Sequence, residues 1–459
     1  MTHRFAFITL ACSLLFFAGR GSAATGASSW PEWRGVSGAG IAPGAQPPLV
    51  WSEEKNVRWK AKVPGYGFST PIVWRDRIFL LAAIETTEER APAEAEAAPQ
   101  GGPPGGGDGR GKAGKGKGGF GGGTRPTKVH EFVVLALDRK TGSVVWQKTA
   151  RREVPHEGRH ATNSFASGSP VTDGERLYAS FGSRGLFCYD LDGKLIWEKD
   201  LGDMRTRNGF GEGASPALAG NHLIVPWDQE GGSFVVALDK RTGAEVWRKS
   251  RDERTTWTTP LIVETGGRTQ AVIAATNLTR SYDTATGELV WEAAGQTVNV
   301  IPTPVTGHGF VYVTSGFQGS SLQAIKLTAR GDITGTDQIA WHVRKSTPYV
   351  PSPVLSGDRI YFSKSNDAYL SCVNALTGEF HFQDQPIEGM RGIYASPVAA
   401  NGHLYVVGRF GQTAVLKDAA KFEIVATNKL NDNFDASPVA VDRELFLRGH
   451  EHLYCIAEG

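Results

Sequence analysis

The chain holds 459 residues, 40% of them hydrophobic and 10% aromatic, with 57 Gly against 3 Met. That apolar share excludes a disordered or fibrous chain, and the glycine excess favours many short strands over long helices. Lys plus Arg number 49 against 47 Asp plus Glu, a net charge of +2, so no global field exists to hold nucleic acid or an anionic membrane.

In chain order, Arg4, the apolar run Phe5 to Ala18 and the small residues Gly21, Ser22 and Ala23 have the layout of a secretory signal ending at residue 23. Fourteen apolar residues fall short of the roughly 20 that cross a bilayer, and no later segment comes nearer, so no transmembrane span is expected. Cys12 lies inside the apolar run with Thr9 where a lipoprotein signal usually carries Leu, which argues against lipidation. The mature chain is therefore expected in the periplasm or outside the cell, with residues 24–55 as a lead-in segment. Three cysteines remain, Cys188, Cys372 and Cys455, an odd number for an oxidising compartment.

From residue 69 onward the sequence repeats. A small residue followed by Pro recurs as STPI (69–72), GSPV (168–171), ASPA (214–217), TTPL (258–261), PTPV (302–305), PSPV (351–354), ASPV (395–398) and ASPV (436–439). The prolines are spaced 99, 46, 44, 44, 49, 44 and 41 residues apart, so eight units follow one period and only the first interval is long. A second landmark follows each anchor: a strand, a turn with Asp or Asn and often Thr-Gly, then a strand with a large aromatic. It reads ALDRKTGSVVW (136–146), CYDLDGKLIW (188–197), ALDKRTGAEVW (237–247), SYDTATGELVW (281–291) and CVNALTGEFHF (372–382). Asp or Asn caps its own turn and Gly accepts the positive φ that closes a hairpin. Four short strands per unit of 40 to 50 residues predict an all-β, eight-bladed propeller over residues 56–459. The residue opening the second landmark is small each time, and the three cysteines fall there, which reads them as small packing residues rather than a disulfide pair. Trp146, Trp197, Trp247, Trp291 and Trp341 read as blade-to-blade packing. NVRWKAKVPG (56–65) repeats the pattern of LIWEKDLG (195–202) ahead of the first anchor, so the N-terminal strand is expected to complete the last blade and close the ring.

The long first interval predicts an insertion at 85–128, disordered and lying between two strands of blade one. Residues 101–123 contain 14 Gly, flanked by Glu85, Glu88, Glu89, Glu94 and Glu96 before and by Arg110, Lys112, Lys115, Lys117, Arg125 and Lys128 after. Its GKGKGG (114–119) and GGDGRGKA (106–113) approach phosphate-binding fingerprints, but neither sits between a strand and a helix.

The Thr-Gly turn followed by Trp in a 44-residue period resembles the pyrroloquinoline quinone (PQQ) type of propeller repeat, and WPEWRG (30–35) is similar to the start of mature secreted bacterial propellers of that class. The resemblance implies two readings. One is a BamB-like assembly scaffold with no cofactor; the other is a quinoprotein alcohol dehydrogenase holding PQQ and calcium on the axis. The dehydrogenases typically carry adjacent cysteines beside the quinone, whereas each cysteine here stands alone.

In either reading the segments leading into each anchor form the loops of one axial face. They bring His160, Asn163, Arg205, Arg207, Asn208, Glu212, Arg254, Trp257, Asn299, Tyr349, Arg391 and Asp435 to one mouth as candidate ligand- or partner-binding residues. Glu212, Asn299 and Asp435 are the oxygen donors for calcium, if calcium binds. The four arginines suit a carboxylate or another anion through planar donor geometry. His156 with His160, and His450 with His452, read as hydrogen-bonding loop residues, since no third zinc ligand accompanies either pair. No Gly-x-Ser-x-Gly elbow or His-Glu-x-x-His occurs, so hydrolysis has no motif behind it. The expectation is an exported, non-enzymatic scaffold, monomeric, binding a protein, peptide or small molecule at its axial face, with no nucleic acid partner and no cofactor; a PQQ- and calcium-dependent oxidoreductase is the alternative.

Overall fold

A computed structural model describes residues 29–36, 38–90 and 125–459. The proposed signal, Cys12 and both glycine-rich fingerprints lie outside the described residues. Within them the chain forms eight sheets in ring order, each built on four antiparallel strands, with a short fifth strand added in three of them. Each Pro anchor leads into the innermost strand of a blade, such as Val171–Thr172 in blade two and Ala217–Ala219 in blade three. The expected closure is present: Val57–Lys62 pairs antiparallel with His452–Ile456, so the fourth strand of blade eight comes from the N-terminal end.

The repeat landmarks have a packing cause. The small residue opening each turn sits opposite the large aromatic of the next strand: Ala136 faces Trp146, Cys188 faces Trp197, Ala237 faces Trp247, Ser281 faces Trp291, Cys372 faces Phe382 and Cys455 faces Trp59. A bulge follows the small residue in most blades, which aims the indole at the neighbouring blade. There the indole N–H donates to a turn carbonyl: Trp59 to Arg139, Trp146 to Leu191, Trp197 to Lys240, Trp247 to Thr284 and Trp341 to Ala375, at 3.0–3.1 Å. The turn glycine lies against the ring; a Cβ on Gly142 (φ +73°) would stand 2.6 Å from Trp59. The turn itself is tied by its aspartate, with Asp138 Oδ1 accepting from the N–H groups of Lys140 and Thr141 and from the Thr141 hydroxyl. Apolar faces between blades complete the core, as where Phe79, Leu81 and Phe132 of blade one meet Leu177, Ala179 and Phe187 of blade two. Each such Leu or Phe side chain contributes about 1.5–3 kcal/mol on burial. All three described cysteines are free and buried.

Two segments differ from the sequence reading. The insertion begins later than Glu85. Arg77–Glu89 and Lys128–Asp138 form one long hairpin in which Glu85 pairs with His130 and Glu89 with Lys128. Three of the acidic residues assigned to the loop therefore belong to a strand, and two of them meet cations: Glu85 with Lys128 at 2.6 Å and Glu88 with Arg152 at 2.5 Å. Residues 91–124 lie outside the described residues.

The lead-in segment, second, is part of the ring. Ser29–Trp30 adds to the inner edge of blade one, and Pro31 O accepts from Thr172 N in blade two. Arg34, 1% exposed, donates to the carbonyls of Pro353 in blade six and Pro397 in blade seven at 2.6 and 2.7 Å. Ile41–Ala42 then joins blade seven. Blades two and six stand opposite each other in an eight-membered ring, so WPEWRG crosses the axis. Trp51 stacks on Tyr405 at 6.4 Å as the segment runs out to the blade-eight edge.

Candidate functional site

At the centre, every anchor carries Ser or Thr immediately before its Pro, and these eight residues form a closed hydrogen-bonded ring. Thr70 N–H donates to Ser169 Oγ, Ser169 N–H to Ser215 Oγ, Ser215 N–H to Thr259 Oγ1 and Thr259 N–H to Thr303 Oγ1. Thr303 N–H donates to Ser352 Oγ, Ser352 N–H to Ser396 Oγ, Ser396 N–H to Ser437 Oγ, and Ser437 N–H returns to Thr70 Oγ1, all between 2.8 and 3.2 Å. Each blade thus satisfies a buried N–H of its neighbour. A hydroxyl that accepts still has a proton to give, and among the described residues these eight protons have no protein acceptor.

Above the ring lies a cup of about 720 Å³. Its lower part is lined by Thr70, Ser169, Ser215, Thr259, Ser396 and Ser437 together with Trp33 of the axis-crossing segment. The wall carries the aromatic groups Phe68, Phe210, Trp257, Phe317, Tyr349 and Tyr394. Phe317 stacks on Tyr349 at 4.7 Å, and the Arg409 guanidinium lies 4.0 Å over Tyr394. Trp257 Nε1 donates to Gly211 O at 2.7 Å, which fixes the indole as a platform.

Eight of the twelve candidate residues line this cup: His160, Asn163, Arg207, Asn208, Trp257, Asn299, Tyr349 and Asp435. Their states differ. Asn163 is fully engaged, donating to Phe210 O and Glu212 O and accepting from Ser164 N–H and Ser167 Oγ. His160 bonds Thr162 Oγ1 at 2.8 Å. Asp435 is held by Arg409 at 2.6 and 3.1 Å and by His450 Nε2 at 3.0 Å, so its charge is compensated. Asn208, Asn299 and Gln318 present amides from left-handed backbone (φ +53°, +56° and +53°), a conformation Asn tolerates and Gln rarely adopts. Asn299 is 3% exposed and its Oδ1 has no partner. The Arg207 guanidinium, lining the same wall, has no carboxylate or carbonyl partner among the described residues. Burial pushes the Tyr349 hydroxyl above its ordinary range.

Arg205, Glu212, Arg254 and Arg391 do not line the cup. Arg205 donates to Glu230 O at 2.6 Å, Arg254 is exposed, and Arg391 packs over Phe410 at 5.2 Å. Glu212 faces a small adjoining recess with His156 and Glu157. Its oxygens accept from Ser183 N–H at 2.8 Å and Ser183 Oγ at 2.5 Å. Gly182 (φ +56°) makes room for that carboxylate, since a Cβ there would overlap Oε2 at 1.3 Å. Burial raises the Glu212 carboxyl to about 7 against the pull of the Ser183 bonds, and also raises Glu157, while it lowers His156. The histidine pairs expected to be loop residues bond locally: His156 to Met204 O and His450 to Asp435. Sequence reasoning missed the hydroxyl ring, Trp33, Phe317, Gln318 and Tyr394; the uniform Ser or Thr before each Pro was the legible sign of the ring.

The calcium set proposed from sequence is not gathered, because Glu212 belongs to the recess while Asn299 and Asp435 belong to the cup. Asp435 is the one carboxylate lining the cup among the described residues, and Arg409 occupies it. A calcium ion takes roughly six to eight oxygen ligands, so this donor set does not suit a calcium-held quinone and no chemical step is derived through one. Among the described residues no cluster of three or more His, Cys, Asp or Glu is placed to hold a metal.

A family model described as "Outer membrane protein assembly factor BamB" matches residues 130–384 and 231–458. No curated protein sequence matches the chain. Among solved structures, BamB from Moraxella catarrhalis is 16% identical with a TM-score of 0.52, over 71% of this chain and 88% of that one. Quinohemoprotein alcohol dehydrogenase from Comamonas testosteroni is 9% identical with a TM-score of 0.56, over 94% and 81%. Quinohemoprotein alcohol dehydrogenase ADHIIG from Pseudomonas putida HK5 is 10% identical with a TM-score of 0.53, over 93% and 80%. At these identities the likeness is one of fold.

Proposed function

Because this chain belongs to the family of PQQ-repeat propellers described as outer membrane protein assembly factor BamB, we propose that it is an exported, non-enzymatic recognition scaffold. It works as a monomer and seats a ligand, or the end of a partner chain, in the axial cup. The observation that supports this reading is a cup of about 720 Å³ whose ring hydroxyls and wall amides retain unused hydrogen-bonding capacity beside fixed aromatic platforms. Sites of that size and mixture take drug-sized ligands. Export is supported by the signal-like residues 1–23.

The test is thermal melting of the mature chain against saccharides, aromatic carboxylates, amino acids and short peptides, run beside two cup-filling variants, Thr162→Trp and Gly213→Leu. Ligand at about 100 times its Kd adds about 2.7 kcal/mol, which for a chain of this size is about 3 °C. A class that stabilises the wild type and neither variant is the expected result. Equal stabilisation of all three proteins, or no stabilising class, overturns the proposal.

A further inference from the structure

The cup's hydrogen-bonding balance is uneven. The six ring hydroxyls that line it each accept a backbone N–H and donate to no protein group among the described residues, so each retains its O–H donor and one lone pair. The nearby carboxylate of Asp435 is neutralised by Arg409, whereas Arg207 on the wall carries a charge with no counter-ion among the described residues. Surplus donors and one surplus cation call for an occupant rich in acceptor oxygens and bearing one negative group. The walls add a second requirement. Aromatic faces at Trp257, Tyr349 and Tyr394 want a ring that shows C–H faces, and the amides of Asn208, Asn299 and Gln318 want edge groups that donate as well as accept. A peptide carboxylate supplies the charge, but its backbone N–H groups would compete for the few free acceptors. A saccharide supplies oxygen lone pairs, hydroxyl donors and apolar faces in one body.

Resting on the reading of the cup as a recognition site, we infer that its occupant is an acidic saccharide, a short uronate chain or chain end, with the carboxylate on Arg207, the ring face on the aromatic wall and its oxygens over the hydroxyl ring. The cup of about 720 Å³ is in the range that takes a drug-sized ligand, which suits a short saccharide rather than a long polymer.

The test is calorimetric titration of the full mature chain, in EDTA, with trigalacturonate, with the neutral trisaccharide maltotriose and with triglutamate. Trigalacturonate is expected to bind one-to-one and at least tenfold more tightly than either comparator. Arg207→Met is expected to weaken trigalacturonate binding at least tenfold, to the level of maltotriose; no guanidinium partner is found among the described residues, and a wild-type melting temperature for the variant shows that folding is intact. No trigalacturonate binding, equal binding of maltotriose, or equal binding of triglutamate each overturns the assignment. If trigalacturonate fails while another class stabilises the wild type and not Thr162→Trp, the saccharide inference falls and the recognition cup stands.

Discussion

Gly142→Ala tests how the ring closes. Gly142 sits at φ +73° on the turn of blade one, and an added Cβ would lie 2.6 Å from the Trp59 indole, the residue by which blade eight docks on blade one. Gly220→Ala is the control: its φ is +59° and nothing lies within 4 Å of an added Cβ. The control carries only the left-handed strain of an L side chain, partly offset by a stiffer unfolded chain, for about 1 kcal/mol net. Gly142→Ala carries that strain, an overpacking term of about 1–3 kcal/mol and the loss of the Trp59 to Arg139 bond, about 1 kcal/mol, for about 3–5 kcal/mol in all. A ring of roughly 400 residues unfolds with an entropy near 0.8 kcal/mol/K, so the control should lower Tm by about 1 °C and Gly142→Ala by about 4–6 °C. Scanning calorimetry on both variants reads the difference. Equal shifts would refute the idea that indole docking on a turn glycine holds the seam.

Further outcomes follow from the buried groups. Burial pushes the thiols of Cys188 and Cys455 up to about 12 and raises Cys372 as well, so all three should resist a thiol reagent in the native protein and react once it is unfolded. Arg251 and Asp228 form a fully buried pair at 2.7 and 3.1 Å, with Tyr282 on the arginine and Thr256 on the aspartate. Asp228→Asn strands that charge and should cost about 3–5 kcal/mol in denaturant unfolding, with Asp228→Ala no milder. Glu212, raised to about 7, keeps its proton in the folded chain after the unfolded chain has released it, so it subtracts stability as pH rises from the ordinary carboxylate range to about 7. Glu212→Gln should therefore gain stability relative to wild type across that window, read as Tm against pH, and parallel curves would contradict the assignment.

Much of the fold could be read before any coordinates. The Pro anchors, the Asp-x-x-Thr-Gly turns and the Trp positions are local signals with local causes, and each blade repeats them; the closing strand at 57–62 was legible because it reuses the same pattern. The strand extension to Glu89 was not, since its residues are charged and only pairing with Lys128 and Arg152 makes them good strand formers. The crossing of the axis by WPEWRG was also hidden, because Arg34 finds its partners more than 300 residues away. At the site, loop position relative to the anchors located eight cup residues, but depth within a loop is invisible to spacing. Glu212 lies one residue from Gly213 of the cup and still faces the other recess, turned there by Ser183 and the room left at Gly182.

The central claim, a recognition cup rather than a quinone-bearing active site, is tested most directly by equilibrium titration of the mature chain with PQQ, with and without calcium, following quinone absorbance and co-elution on gel filtration. The account predicts that calcium adds nothing, because Arg409 already occupies the cup's carboxylate. Stoichiometric binding that requires calcium and is lost in Asp435→Asn would contradict it.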